Sequence, residues 1–470
     1  MLFFELFAFI CVIRGQIFSL HFSLIYSINP NDDCMRRGKV PKPIKIGLIG
    51  FGNIGTGVIR ALNENGKSIN QRLPRPITIS RIADIDLKRI RPVKYDRRIL
   101  TDDAFSVIQD PEIDIIIEIV GGINAAKKIV EAALRHKKHV VTANKALLAH
   151  FGAKLLALAK RNNVSLLFEA SVGAGIPIIR SLIHAYAANR IYAIRGILNG
   201  TTNFILTSMA EQGRDFEDVL KEAQEKGYAE PDPSFDVEGF DTAHKLAILA
   251  SLAFGQDIGI KSVFVEGITR VQKEDLAYAS ELGYVVKLLG IAKLTPGGKA
   301  EVRVHPTLIP RHSTLASVGG VFNAIQVEGD PIGAQMLYGR GAGWGSTASG
   351  ILGDVMDIAS AIATNSVLPS PYSIPVGVSN ISPMGDLETE YYIRMTLRDV
   401  PGMLAKVAGV FGSEKISIKT VMQKTSDPGR YASAIFITHK ALEGSVQKSL
   451  DLLTRKKICK GSPFVLRVEE

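Results

Sequence analysis

Cysteine and tryptophan are scarce: three cysteines, Cys11, Cys34 and Cys459, and one tryptophan in 470 residues. The cysteines lie far apart, with no CxxC or Cys/His spacing, which excludes a zinc ribbon and a disulfide framework and suits a reducing, cytoplasmic compartment. Runs of basic residues with interleaved aromatics are also missing. The formal net charge of +10 therefore does not read as nucleic-acid binding, and the densest basic cluster, "TRKKICK", reads as a solvated helix end and loop. A long unbroken apolar run is lacking too. The N-terminal "MLFFELFAFICVIRGQIFSLHFSLIYSINPNDDCMRRGKV" is interrupted by Glu5 and Arg14 and has no basic leader, so neither a spanning helix nor a secretory signal is expected. Residues 1–42 are expected to be an extension that is disordered or not translated, with Met35 as the alternative start.

The remainder, 46% hydrophobic and 7% aromatic, has the composition of a folded chain with room for several domains. From Ile44 the pattern is regular. "IKIGLIGFGNIGTGVIRAL" reads as buried strand, glycine turn and helix; "NENGKSINQRLPRP" as a polar loop; "ITISRIADID" as a second strand. Further apolar strands, "DIIIEIV", "HVVTAN" and "VSLLFEAS", alternate with the helices "AAKKIVEAALRHK" and "KALLAHFGAKLLALAKRNN". Strands apolar on both faces and alternating with helices predict a parallel, doubly wound α/β sheet of Rossmann type over residues 43–172, completed by 339–373. Residues 173–338, with longer helices and antiparallel-looking strands such as "KAEVRVHPTLIP" and "NAIQVEGDPI", predict an α+β catalytic and oligomerisation domain. Residues 374–390 read as a linker. The segment 391–470 reads as an independent βαββαβ module, and its 14 Lys/Arg against 7 Asp/Glu supply most of the positive excess.

Gly50-x-Gly52-x-x-Gly55 follows a strand and opens a helix, the setting in which glycines permit a tight turn and the helix N-terminus attracts a pyrophosphate. Asp84 closes the second strand, where a carboxylate can accept both ribose hydroxyls and repel a 2′-phosphate, favouring NAD over NADP; a solvated strand-end aspartate is the alternative. Lys145 stands at a strand-to-helix junction that faces the cofactor in such folds, although an ordinary helix-start lysine would point into solvent. Asp241 and Lys245, spaced i and i+4, share a helix face. A surface ion pair is the bland alternative there, but Glu230, Asp232, Asp236 and Glu238 crowd just upstream and an apolar run follows, which suggests a site wall. Acids without matching bases repel one another unless a cation sits among them. A ligand carrying an ammonium group would be that cation, with the two lysines left to address its carbonyl.

"GFGNIGTGV", "DIIIEIVGGINAA", "HVVTANKALLAHFG", "LLFEASVGAGIPII", "RGILNGTTNFIL", "GYAEPDPSFDVEGFDTAHKLAILASLAFG" and "GRGAG" occur in an order and spacing that resemble the homoserine dehydrogenases over about residues 43–470. The resemblance implies reversible NAD(P)H-dependent reduction of aspartate 4-semialdehyde to homoserine. It implies Lys245 as the catalytic lysine, Lys145 at the nicotinamide and reacting carbonyl, and Asp241 beside them. Glu230 and Asp241 match substrate-binding carboxylates, Asp236 another acid of the block, and the backbone at Gly227 lies in the same pocket. Gly50, Gly52, Asn53, Ile54, Gly55, Asp84, Lys145 and Gly343 fall on the cofactor. "FEASVGAGI" resembles a loop that binds a monovalent cation such as sodium, with Glu169 and the carbonyls of Val172, Ala174 and Ile176 as ligands. One departure is Trp344, in "GWGSTAS" where many relatives read "GGDPTAS".

The C-terminal "YYIRMTLRDVPGMLAKVAGVFGSEKISIKTVMQK" resembles an ACT domain, which implies regulation by an amino acid such as threonine, expected near "DVPGML". The resemblance also implies a homodimer or homotetramer. Two other functions stay open on sequence: a dehydrogenase of a neighbouring amino-acid semialdehyde, and a non-catalytic amino-acid sensor built on the same shell.

Overall fold

The computed structural model describes residues 42–366, 368, 374–423 and 430–469. The expectations placed on residues 1–41, Met35 among them, and part of the stretch leading into the expected linker lie outside the described residues. Among the described residues, no helix is long and apolar enough to cross a membrane.

The chain first builds a parallel sheet. β1 (Ile44–Ile49) lies at its centre, flanked by β2 (Ile77–Ala83) and β4 (Ile115–Glu118); β3 (Leu100–Thr101), β5 (His139–Thr142) and β6 (Leu166–Leu167) complete the order β3-β2-β1-β4-β5-β6. That is the doubly wound order, which places ligands outside the carboxyl ends of the strands where the winding reverses, between β1 and β4. Ile44, Ile46 and Leu48 are fully buried, as strands covered on both faces require. The covering helices include α1 (Asn53–Gln71), α2 (Ala104–Gln109), α3 (Asn124–Arg135) and α4 (Lys145–Arg161). The expected polar loop at "NENGKSINQ" is wrong: α1 continues through it to Gln71. Leu62 and Ile69 lie on the face that packs against the sheet core, and that stripe carries the helix past Gly66 despite its poor helix propensity.

After the short α5 (Ile178–Arg180) comes a second sheet, with interleaved helices: β7 (Arg190–Ile197), α6 (Gly200–Gln212), α7 (Phe216–Glu225), α8 (Ser234–Val237), α9 (Phe240–Phe254), β8 (Phe264–Val265), α10 (Lys273–Glu281), β9 (Tyr284–Leu294), β10 (Ala300–Pro310), β11 (Phe322–Asp330) and β12 (Gly333–Arg340). β7, β9, β10, β11 and β12 pair antiparallel. α11 (Trp344–Thr364) then returns to the first sheet, burying Ile351, Val355 and Ile358 completely; truncating one of these to alanine would cost about 2–5 kcal/mol.

The C-terminal strands and helices are β13 (Glu388–Thr389), β14 (Tyr391–Arg398), α12 (Met403–Ser413), β15 (Ile418–Gln423), β16 (Tyr431–Thr438), β17 (Ala441–Leu442), α13 (Glu443–Arg455) and β18 (Cys459–Val468). Apart from the small β13–β17 pair, this is the expected βαββαβ order. It does not stand alone. β18 pairs parallel with β10, Thr307 opposite Arg467 and Leu308 opposite Val468, so both regions share one sheet ordered β12-β11-β7-β9-β10-β18-β14-β16-β15. Asp275 of α10 accepts from Arg394 and from the Tyr392 hydroxyl, at 2.7 and 2.8 Å, pinning β14 to the preceding domain.

Candidate active site

The glycine turn after β1 is built for close approach. Gly50 has φ +101°, and a Cβ there would lie 2.7 Å from the Ile119 carbonyl oxygen; one on Gly55 would lie 2.4 Å from the Gly50 carbonyl oxygen. Both contacts exclude a side chain. At Gly52 the nearest atom to such a Cβ is 3.9 Å away, and no side chain caps the first N–H groups of α1. An open glycine at an uncapped helix start, with Asn53 and Ile54 as the first helical residues, fits the pyrophosphate of a dinucleotide.

Asp84 stands beside this turn, but its carboxylate is already engaged. It accepts the N–H groups of Phe51 and Asp86 and lies 3.2 Å from the buried Arg91 guanidinium. The exposed Arg89 donates to the Asn53 side chain at 2.8 Å. Trp344 packs on the same helix: a Cβ on Gly57 would lie 3.1 Å from its ring, and the Arg60 guanidinium sits 4.7 Å from the ring centroid.

A cavity of about 760 Å³ runs from Ile54 to Glu230 and is lined by Lys145, Gly227, Asp236, Asp241, Lys245 and Gly343, among others. At its floor Asp241 is held between two lysines. Lys245 Nζ donates to Asp241 Oδ2 at 2.7 Å and to the Leu198 carbonyl at 2.6 Å, and Lys145 Nζ meets Asp241 Oδ1. The i, i+4 spacing places Asp241 and Lys245 on one face of α9, while Lys145 arrives from the start of α4. Asn144 fixes that start by accepting the Leu147 N–H at 3.0 Å. An ammonium has three N–H groups; two of those on Lys245 are engaged, leaving one for a ligand.

Burial competes with the ion pairs, and a different one prevails at each group. Burial pushes the Lys245 ammonium below its ordinary value, with Asp241 pulling upward and Lys145 downward. Burial also acts to raise Asp241, yet Lys245 and then Lys145 outweigh it and hold this carboxyl well below the usual range. Asp236 moves upward, through burial first and the Asp241 charge second.

The acids clustered in sequence separate in space. Asp236 and Asp241 enter the cavity, and Glu230 stands exposed on its rim. Asp232 instead closes a turn by accepting from Ser234, and Glu238 is not among the lining residues. The residue that joins the two inner acids was absent from the expected set: Asn199 donates through Nδ2 to Asp236 Oδ1 at 2.8 Å and to Asp241 Oδ2 at 2.9 Å. Its Oδ1 caps α6 by accepting the Thr202 N–H. The "LNGTT" spelling of a helix cap was the available signal. Thr201 adds a hydrogen bond to Asp236 at 3.1 Å.

The oxygens expected to bind a monovalent cation are partly engaged within the protein. Both Glu169 carboxylate oxygens accept backbone N–H groups, from Ile179 at 3.0 Å and Arg180 at 2.7 Å, and the Ile176 carbonyl accepts from Ile178. Ala174 lines the cavity, and the Ala174 carbonyl packs 2.6 Å from where a Cβ on Gly350 would sit; Val172 is buried.

Comparison with known proteins places the chain among homoserine dehydrogenases. Residues 177–356 match the family model for homoserine dehydrogenase, residues 50–169 that for the homoserine dehydrogenase NAD binding domain, and residues 391–455 that for the ACT domain. The chain is 41% identical over 413 residues to a homoserine dehydrogenase of Neisseria gonorrhoeae, covering 87% of this chain and 94% of that one. It is 41% identical over 436 residues to that of Pseudomonas aeruginosa, covering 91% and 99%. Among solved structures, a homoserine dehydrogenase from Thiobacillus denitrificans superposes with a TM-score of 0.83 at 39% identity, over 91% of this chain and 99% of that one. A hyperthermophilic archaeal homoserine dehydrogenase in complex with NADPH gives 0.58 at 26% identity, over 67% and 98%.

Proposed function

This chain belongs to the homoserine dehydrogenase family, and from that footing we propose that Lys245 is the proton donor to the alkoxide formed from aspartate 4-semialdehyde and the acceptor in homoserine oxidation. The observation that carries the reading is Asp241, fixed between Lys245 and Lys145 at the floor of a cavity that opens toward the glycine turn. A nicotinamide cofactor, when bound, supplies or takes up the hydride. Lys145, with a third of its side chain exposed, is placed to polarise the carbonyl oxygen, while buried Lys245 transfers the proton. Asp241 keeps both lysines in position and supports the ammonium form of Lys245. Asp236 and the rim carboxylate of Glu230 then address the substrate ammonium, with the Gly227 backbone alongside.

For the cofactor, NAD is favoured over NADP at Asp84, but by less than an unpaired carboxylate would enforce. Arg91 offsets the Asp84 charge, and Arg89 offers a guanidinium close by. Regulation through the ACT domain is by a free amino acid, with threonine as the effector. The protein acts in the cytoplasm, in keeping with its cysteine usage, and assembles as a homodimer or homotetramer through the second sheet, whose edge strand β12 is largely open.

The deciding experiment measures homoserine-dependent reduction of NAD and of NADP, beside the same assay with the alcohols of neighbouring amino-acid semialdehydes. Turnover of homoserine is expected. Turnover of another substrate alone would redirect the assignment, and amino-acid binding without any turnover would make the chain a sensor. Binding is read separately through Trp344, the single tryptophan, which packs on the cofactor helix.

A further inference from the structure

Glu118 is a buried acid that takes no part in the proton transfer. It is the last residue of β4, fully buried, and no cation pairs with it among the described residues. Its Oε1 accepts the Val120 N–H at 2.9 Å, and its Oε2 accepts the Thr142 hydroxyl at 2.6 Å. Burial pushes the carboxyl up to about 7, against the pull of these two hydrogen bonds. An acid without a counter-charge is costly in such a place, where an apolar residue of similar volume would be at least as stable. What the acid does is join two loops.

Thr142 ends β5 and is also fully buried; the hydroxyl oxygen that donates to Glu118 accepts the Asn144 N–H at 3.0 Å. Asn144 closes the circuit. Its Nδ2 donates to the Gly122 carbonyl at 2.8 Å, while its Oδ1 caps the helix that Lys145 opens. The Val120–Gly122 loop is thereby held at its first N–H by Glu118 and at its last carbonyl by Asn144. Its outer side is bare: Gly121 and Gly122 are exposed, and a Cβ on either would meet nothing within 4 Å. The sheet order indicates what fits there. Asp84 follows β2, at the adenosine end, and the glycine turn follows β1, at the pyrophosphate. The nicotinamide end of an extended dinucleotide then falls beyond β4 and β5, between this loop and Lys145.

We propose that Glu118 is a positioning residue for hydride transfer, tying the Val120–Gly122 loop through Thr142 and Asn144 to the start of α4, so that the nicotinamide and Lys145 keep one fixed spacing. The inference rests on the reading of Lys145 as the group that polarises the carbonyl. A misplacement of about 1 Å between reacting groups can cost roughly 10²-fold in rate. In homoserine oxidation the hydride leaves the hydroxymethyl carbon for the nicotinamide, and the hydroxyl proton passes to Lys245.

Thr142→Val removes the hydroxyl at nearly constant volume, and Thr142→Ser keeps it. Glu118→Gln and Asn144→Ser, the second of which retains a capping oxygen, cut the circuit at its two ends. In the cofactor-free protein, amide hydrogen exchange over Val120–Gly122 should quicken in the three cutting variants and stay near native in Thr142→Ser. In turnover, Thr142→Val should lower kcat by roughly tenfold or more. KM for homoserine should change little, and homoserine deuterated at its hydroxymethyl carbon should show a larger isotope effect than with the native enzyme. In a Lys145→Ala background Thr142→Val should have little further effect, because both disturb one geometry. Asn144 is only half-buried, so Asn144→Ser carries the same readings should the buried variants fail to fold. Unchanged exchange, or a native isotope effect in all the cutting variants, would overturn the positioning role, as would equal losses in Thr142→Ser and Thr142→Val. A Lys145→Ala enzyme with near-native kcat would instead remove the reading of Lys145 on which that role rests.

Discussion

Two buried carboxylates, Asp241 and Glu469, are each gripped by several cations, and the cations differ in kind. Asp241, in the first case, is held by two lysines at the wall of an open cavity. Glu469 is held by Arg195, Arg303 and Lys293 where two parts of one sheet meet. A guanidinium keeps its proton under all ordinary conditions and forks rigidly onto a carboxylate, whereas a buried lysine can exchange its proton. On the proposed mechanism the site that moves a proton uses lysine, while the seam between the two parts of the sheet uses mostly arginine.

The largest expected effect breaks the first cluster. Lys245→Ala should lower kcat in both directions by roughly 10²–10⁴-fold, the range for losing one acid–base group. The Trp344 fluorescence titration with NADH should change little. A variant with near-normal kcat would move the proton-transfer role to Lys145.

Glu469→Gln attacks the second cluster, and it should lower stability with little effect on kcat. Removing one partner of a buried ion network costs about 3–5 kcal/mol, to be read from denaturant melts. The sign of its pH dependence is fixed. Burial acts to raise the Glu469 carboxyl, but Arg303, Lys293 and Arg195 outweigh it and hold it below its ordinary 4.5. The stability advantage of the native protein over the variant should therefore be full above about pH 4.5 and be lost as pH falls through the folded-state value. A margin that grows in acid would contradict the role given to Glu469.

Smaller effects sharpen the division of labour among the acids. Glu230→Gln should raise KM for homoserine several-fold with kcat nearly unchanged, because an exposed rim charge contributes on the order of 1 kcal/mol or less. A fall in kcat matching the Lys245 variant would place Glu230 in the chemistry instead. Smallest is the cofactor effect. Asp84→Ser should narrow, and Arg89→Ser widen, the KM gap between NAD and NADP by a few-fold, since both groups are partly solvated. Equal use of both cofactors by the unmodified enzyme would overturn the preference for NAD.

These two clusters were unequally legible in the sequence. The glycine turn and the Asp241–Lys245 spacing are local, governed by backbone sterics and helix period, and could be read directly. Lys145 could be placed at a strand end but not against Asp241, because that meeting depends on how α4 packs on α9. Asn199 was passed over for the same reason, its two aspartate partners lying 37 and 42 residues away. The polar second half of α1 misled because exposed helix and loop share composition, and only packing of Ile69 distinguishes them. Least legible was the seam: Arg303 and Glu469 are 166 residues apart, and nothing in either local pattern announces a parallel pairing of β10 with β18.

The proposed mechanism makes Lys245 the titrating group, its proton affinity lowered by burial and raised by Asp241. It is tested most directly by the pH dependence of kcat/KM for homoserine oxidation, in the native enzyme and in Asp241→Asn. Oxidation needs the neutral amine, so the rate should rise with pH, and burial should place the midpoint below the ordinary lysine value of 10.5. Removing the Asp241 charge takes away the group that stabilises the ammonium, and the midpoint should move to still lower pH even as the overall rate falls. A midpoint that stays fixed or moves upward in Asp241→Asn would contradict the account.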